Sequence, residues 1–215
     1  IFKGKKIFIL PLGADAQIDD SNLYKDISLE MKLVYVGVFD YRKVEKTIQG
    51  FKIFYDKYNK IVNCSYTIIG YSSTKLYVDK IINEIKINDL DGIVNYIGKI
   101  PNYNLGKYFN NHNIGVSYIP ITDYFQFQPP TKTYEYLANG LICIATSTYE
   151  NRKIINKANG VLVGEAPYQF FKGLEFIYFN LDHYNKIDIC NSVKDYSWAN
   201  IVNNKLKKYL RDICN

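Results

Sequence analysis

A chain of 215 residues that is 47% hydrophobic and 22% charged has the material for a packed core and is neither a disordered nor a fibrous composition. Its formal charge of +6 admits an anionic partner, but the basic residues are dispersed. Only Lys205, Lys207, Lys208 and Arg211 cluster, as a solvated helix face would, and no nucleic-acid-binding module is expected. Four widely spaced cysteines (Cys64, Cys143, Cys190 and Cys214) and two isolated histidines (His112 and His183) form neither a disulfide framework nor a metal-ligand cluster.

In chain order, Ile1–Leu10 reads as a strand centred on Ile7-Phe8-Ile9-Leu10, and Gln17–Glu30 as a loop with at most a short helical turn. Leu33–Val38 is a strand. A helix follows over Val44–Tyr58, with Ile48, Phe51, Ile53, Phe54 and Tyr55 near helical spacing as its buried face. Tyr66–Ile69 is the next strand, ending at Gly70, before a helix over Thr74–Ile87. Ile93–Ile97 is another, and Gly98-Lys99-Ile100-Pro101 opens a short helix reaching Asn110. Ile114–Ile119 is a strand leading to Asp123 and then to Phe125–Thr146, the most informative stretch. There Pro130 suits the first turn of a helix over Thr131–Asn139 and Gly140 suits its C-terminal cap, with Tyr134, Leu137 and Ala138 on one face. Leu141–Ala145 is a strand, Tyr149–Asn156 a helix, Gly160–Val163 a strand and Pro167–Phe179 a helix. Ser197 is placed to cap a last helix over Ala199–Leu210, with Trp198 as a packing anchor.

Strands and helices alternating at this spacing predict an α/β domain with a Rossmann-like parallel sheet and helices on both faces. In such a sheet ligands gather at the carboxyl ends of the strands, where Gly37, Gly70, Gly98, Asp123 and Lys132 belong. The helix at Thr131 adds N-terminal amides suited to a diphosphate, with Lys132 beside them and Glu135 one turn on.

The run Pro130-Thr131-Lys132-x-x-Glu135-Tyr136-Leu137-Ala138-x-Gly140-Leu141-x-x-Ile144-Ala145-Thr146, followed by Glu150-Asn151-Arg152 and Ile154-Ile155, resembles the nucleotide-sugar-binding half of family 4 glycosyltransferases, retaining enzymes of the two-domain GT-B architecture. The resemblance extends from Pro11 to about Leu210. It implies that Glu135 contacts a ribose, and that Lys132 and the amides around Thr131 and Thr133 lie near a diphosphate. It implies that Gly37, Lys43 and Gly70 stand at the family's glycine and lysine positions, and that Ile100 lies against the base. Two positions depart from the pattern. Val38 stands where an arginine holds the diphosphate, with Arg42 in the same turn to compensate, and Phe127 stands where a glutamate engages the transferred sugar. Asp123, Gln126 and Gln128 are the candidates to replace that glutamate.

On this resemblance the chain is expected to be the donor-binding half of a retaining hexosyltransferase that takes a UDP- or GDP-sugar. Lys43, Lys132 and Arg42 would stabilise the leaving diphosphate without a cofactor or metal. Residues 1–30 would be an interdomain linker strand and loop, 31–195 the donor-binding domain, and 196–215 a helix packing toward an upstream domain that brings a glycan or lipid-linked acceptor. With no apolar run of roughly 18 residues, a cytoplasmic location is expected, with peripheral association at the inner face of the membrane. The alternatives are a sugar-nucleotide epimerase of the same architecture, from which the Pro-Thr-Lys-x-x-Glu-Tyr run departs, and a non-catalytic nucleotide- or flavin-binding carrier domain, which would want acidic residues at the strand ends where this chain has cations.

Overall fold

The computed structural model describes residues 7–18, 20–23, 27 and 29–214. Residues 1–6 of the expected first strand lie outside these, and 7–10 run exposed without regular structure. Six strands form one parallel sheet: Met31–Val38 (β1), Cys64–Tyr71 (β2), Val94–Gly98 (β3), Ile114–Ser117 (β4), Ile142–Thr146 (β5) and Gly160–Val163 (β6). Their spatial order is β3-β2-β1-β4-β5-β6. This is a Rossmann-like arrangement, in which the chain winds outward from β1 on one side and from β4 on the other. The helices are Asp20–Leu23 (α1), Glu45–Tyr58 (α2), Lys75–Ile87 (α3), Gly106–Asn111 (α4), Thr131–Ala138 (α5), Asn151–Ile154 (α6), Pro167–Phe179 (α7), Lys186–Asn191 (α8), Trp198–Ile201 (α9) and Lys207–Cys214 (α10).

The sheet is covered on both faces, which its sequence requires. Leu33, Val34, Tyr35 and Val36 are consecutive and all buried, the pattern of a central parallel strand rather than of a half-solvated one. In β4 and β5, Gly115 is in register with Cys143, and Val116 with Ile144. The first pair faces α5, where the Tyr136 ring lies so close to Gly115 that a Cβ there would stand 2.3 Å from it. Ile144 faces α7, where Gly173 lets the helix down onto the Ile144 and Val163 side chains.

The packing of α2 corrects one detail. Its buried face is Thr47, Ile48, Gly50, Phe51, Phe54 and Tyr58, while Ile53 is exposed, because position 53 lies a full 100° step off the line through 47, 51, 54 and 58. Gly50 is where α7 crosses: a Cβ would meet the Pro167 carbonyl at 2.5 Å. One carboxylate ties this pair together. Glu175 on α7 accepts hydrogen bonds from Tyr58 and Lys57 on α2, both at 2.7 Å, and pairs with Lys172 one turn away. Those three donors lower its pKa to about 2, with Lys172 the largest cause.

The segment from Pro11 to Gln17 runs along the opposite flank. Ala14 N–H donates to the Tyr196 carbonyl at 3.0 Å, Asp15 accepts from Trp198 N–H, and a Cβ on Gly13 would strike Ile201 and the Tyr196 carbonyl. Ser197 caps α9 as expected, its hydroxyl accepting from Asn200 N–H. Trp198 touches Gly13 yet remains 41% exposed, so it anchors through one face only. The helical turn at Lys186–Asn191 has no counterpart in the expected pattern. Asn185 caps it, its side chain accepting from Ile187 and Asp188 N–H.

Candidate functional site

The two windings of the sheet diverge between β1 and β4, and a crevice opens there. The strands pair at Leu33↔Ile114 and Val34↔Gly115. Two residues further along, the Val36 N–H donates instead to the Tyr136 hydroxyl at 2.8 Å. A fully buried tyrosine from α5 thus reaches between the strands, supported by the missing side chain of Gly115 below it.

Beyond Tyr136 lies a cavity of about 270 Å³. Its walls are Tyr35–Val38 and Arg42 from β1 and its following turn, Val116–Ile119 from the end of β4 and the chain leaving it, and Gln128–Lys132 from the entry to α5. Small-molecule pockets typically enclose about 300 to 1,000 Å³, so this crevice is of a size to take part of a small ligand. Its floor is fixed by hydrogen bonds. Thr146 on β5 accepts from Ile119 N–H at 2.9 Å and donates to the Ile119 carbonyl at 2.6 Å, which pins the chain leaving β4. Thr133 lies 2.7 Å from the Ser117 hydroxyl and 2.8 Å from Asn151 Oδ1. Since the amide oxygen can only accept, Thr133 donates to Asn151 and accepts from Ser117.

Of the residues expected at the site, Gly37, Arg42, Gln128, Thr131 and Lys132 meet in this crevice. Arg42 is its electrostatic focus. The guanidinium lies 4.2 Å from the centroid of the Phe125 ring, and its Nη1 is buried with no hydrogen-bond partner among the described residues. A cation held this way is poised for an anion. Beneath it, burial pushes the Tyr35 phenol up, with Arg42 opposing, and its hydroxyl donates to the Val38 carbonyl at 3.1 Å. A Cβ on Gly37 would stand 3.0 Å from that hydroxyl.

Lys132 is held differently, in an ion pair with Glu135 one turn along the helix. The two residues read from sequence as separate contacts are partners, because positions i and i+3 share a helix face. The expected row of free amides is also partly occupied: Thr131 N–H donates to the Pro129 carbonyl and Thr133 N–H to that of Pro130.

The remaining expected residues lie elsewhere. Thr133 has a fully buried side chain spent on Ser117 and Asn151. Gly70 serves the sheet: a Cβ would stand 1.9 Å from the Gly37 carbonyl, so close strand approach explains it without a ligand. Ile100 packs against the core. Asp123 is exposed and accepts from Gln126 at 3.5 Å, leaving Gln128 as the one of the three replacement candidates that lines the crevice. Lys43 turns to an adjoining cavity and stands 4.0 Å from Glu165. Phe127 is 56% exposed and packs on Tyr149 with ring centroids 5.2 Å apart. Sequence reasoning missed Tyr136 and Asn151 as organisers of the site. The bulk of Tyr136 opposite the lone glycine of β4 was the available signal.

No family model matches the chain, and no curated protein matches it. Solved structures do. The chain is similar to sucrose-phosphate synthase from Thermosynechococcus elongatus, with a TM-score of 0.71 at 18% identity over 99% of this chain and 54% of that one. The fold is one that glycosyltransferases share. Anabaena HepE, solved in complex with UDP, matches with a TM-score of 0.67 at 11% identity over 93% of this chain and 56% of that one. The C-terminal domain of the glycosyl transferase group 1 family protein LpcC from Francisella tularensis matches with a TM-score of 0.59 at 17% identity, covering 82% of this chain and 86% of that domain. The chain therefore spans about half the length of the first two. Among the described residues no helix is long and apolar enough to cross a membrane.

Proposed function

We propose that this chain is the donor-binding, C-terminal half of a retaining family 4 glycosyltransferase, and that the crevice between β1 and β4 holds the diphosphate of a UDP- or GDP-sugar. The observation that carries this reading is the Arg42 guanidinium lining the crevice at the switch point of the sheet, its buried Nη1 without a hydrogen-bond partner among the described residues, at the place where ligands of this architecture sit. Arg42 neutralises the charge that grows on the diphosphate as the sugar leaves, a fixed dipole and charge arrangement of the kind that lowers such barriers. Lys132 joins it by exchanging Glu135 for phosphate, and Glu135 is then free to accept from the ribose hydroxyls. Lys43, on the neighbouring loop, adds long-range attraction. The acceptor, a glycan or a lipid-linked sugar, comes with a further domain that completes the cleft, as the chain's half-length match to its neighbours supports.

UDP is the first ligand to test, since HepE was solved with it. Calorimetric titration with UDP, GDP and uridine separates phosphate from base recognition. Charge-assisted hydrogen bonds contribute roughly 1.5 to 3 kcal/mol, so Arg42→Ala should weaken UDP roughly 10- to 150-fold and leave uridine unchanged. Equal losses for UDP and uridine would assign Arg42 to the fold, and unchanged UDP affinity would remove the crevice from the reading.

A further inference from the structure

A second cavity adjoins the crevice, and it has a different chemistry. It encloses about 520 Å³ and is lined by Tyr41, Lys43 and Glu45 from the turn after β1, Tyr77 and Lys80 from α3, and Tyr124 and Phe125 from the loop that crosses over β1. Arg42 lies between Tyr41 and Lys43 in sequence but points into the crevice, and Phe125 covers it. The wall between the two cavities is thus one cation and one ring thick.

We propose that this second cavity is a saccharide site selective for a sugar ring that carries a negative charge. Its rings stand as two edge-to-face pairs, Tyr41 on Tyr77 with centroids 5.5 Å apart and Tyr124 on Phe125 at 5.0 Å. Tyr41 is 69% and Tyr124 73% exposed, so broad ring faces and their hydroxyls meet solvent together. That combination suits a pyranose, whose C–H face packs on an aromatic ring while its hydroxyls need donors and acceptors at the rim. The charges favour an anion. Lys80 lies over the Tyr77 ring at 5.5 Å and has no ion pair among the described residues; Lys43 has only the 4.0 Å contact with Glu165. Against them the cavity lining sets one carboxylate, Glu45. The backbone is also held in a costly form here: Tyr41 and Lys43 have φ of 59° and 54°, left-handed values rare for residues with bulky side chains, which concentrate where a ligand is clamped.

The anion can be a uronic carboxylate or a sugar phosphate, and the test separates them. Binding of glucuronic acid, glucose 6-phosphate and glucose is followed by amide shifts in residues 41–45, 77–80 and 122–125 at low ionic strength. Both acids are expected to bind at least about fivefold more tightly than glucose, and whichever binds more tightly identifies the source of the charge. Lys80→Ala should reduce that preference and Tyr77→Ala should weaken all three sugars, while both variants bind UDP as the parent does. Absence of shifts with every sugar, equal affinity for glucose and the acids, or a preference left unchanged by Lys80→Ala would each overturn the proposal. Because UDP is measured on the same variants, failure here is distinguishable from failure of the diphosphate site.

Discussion

Arg42 and Glu135 show how a residue's role depends on what it is paired with. Arg42 has a buried Nη1 with no hydrogen-bond partner among the described residues, and on the proposed reading a phosphate supplies that partner. Glu135 is already engaged by Lys132, so its replacement has two opposed consequences. If it accepts from a ribose, Glu135→Ala should lower UDP affinity about tenfold or more, since each such bond contributes roughly 1.5 to 3 kcal/mol. If its only role is to hold Lys132, the freed cation should bind UDP as well as before or better. Titration of Glu135→Ala with UDP, with thermal melting as a control, reads the sign directly, and we expect the loss. Salt gives a second check. Lys132 and Lys43 keep part of their side chains in solvent, where attraction is screened over about 8 to 10 Å at 0.1 to 0.15 M ionic strength, so added salt should weaken UDP and spare uridine.

Helix α5 and strand β4 are built as a unit, and the unit makes the crevice. Tyr136 satisfies the Val36 N–H that the splayed strands leave without a ladder partner, and Gly115 makes room for its ring. Tyr136→Phe keeps the shape and strands that buried N–H, which should cost about 1 to 3 kcal/mol of stability, measured by urea denaturation. A change below a few tenths would mean the bond is dispensable. Gly115→Ala should destabilise more, because the added Cβ would overlap a ring that is packed on every side. The α2 and α7 pair yields a pH prediction. Glu175 has its pKa lowered to about 2 in the folded chain. A lowered carboxylate pKa gives stability that is complete above the unfolded value of about 4.3 and is lost as pH falls toward 2. The parent should therefore lose stability across that acid window more steeply than Glu175→Gln. Parallel curves for the two would show that the three donors contribute nothing through ionisation.

At the scale of the whole molecule, what could be read from sequence was what repeats locally. All six sheet strands fall close to where they were expected; the central ones are buried on both faces and write themselves as consecutive apolar residues, while the edge strand β3 is half exposed. The glycine and proline signals around α5 were read correctly for the same reason. Pairings across the sheet were not legible. That Gly70 serves the Gly37 carbonyl, that Thr133 faces Ser117 and Asn151, and that Lys43 and Arg42 point into separate cavities all depend on register and on φ values near +55° at Tyr41 and Lys43, which no local pattern encodes. Ile53 was misassigned by a single residue of helical phase, and the turn at Lys186–Asn191 was too short for periodicity to show. The half-length match to sucrose-phosphate synthase and the modest crevice volume lead to one expectation about activity: this chain binds UDP but transfers no sugar unaided, which a donor-hydrolysis and transfer assay checks. On the proposed reading, the nucleotide diphosphate sits between β1 and β4 against Arg42. Amide and arginine side-chain shifts recorded during UDP titration test it most directly. We predict that the largest changes fall on Gly37, Val38, Ser117, Lys132 and the Arg42 guanidinium, and saturate together. Saturable shifts confined to residues away from these strand ends, with Arg42 unmoved, would contradict it.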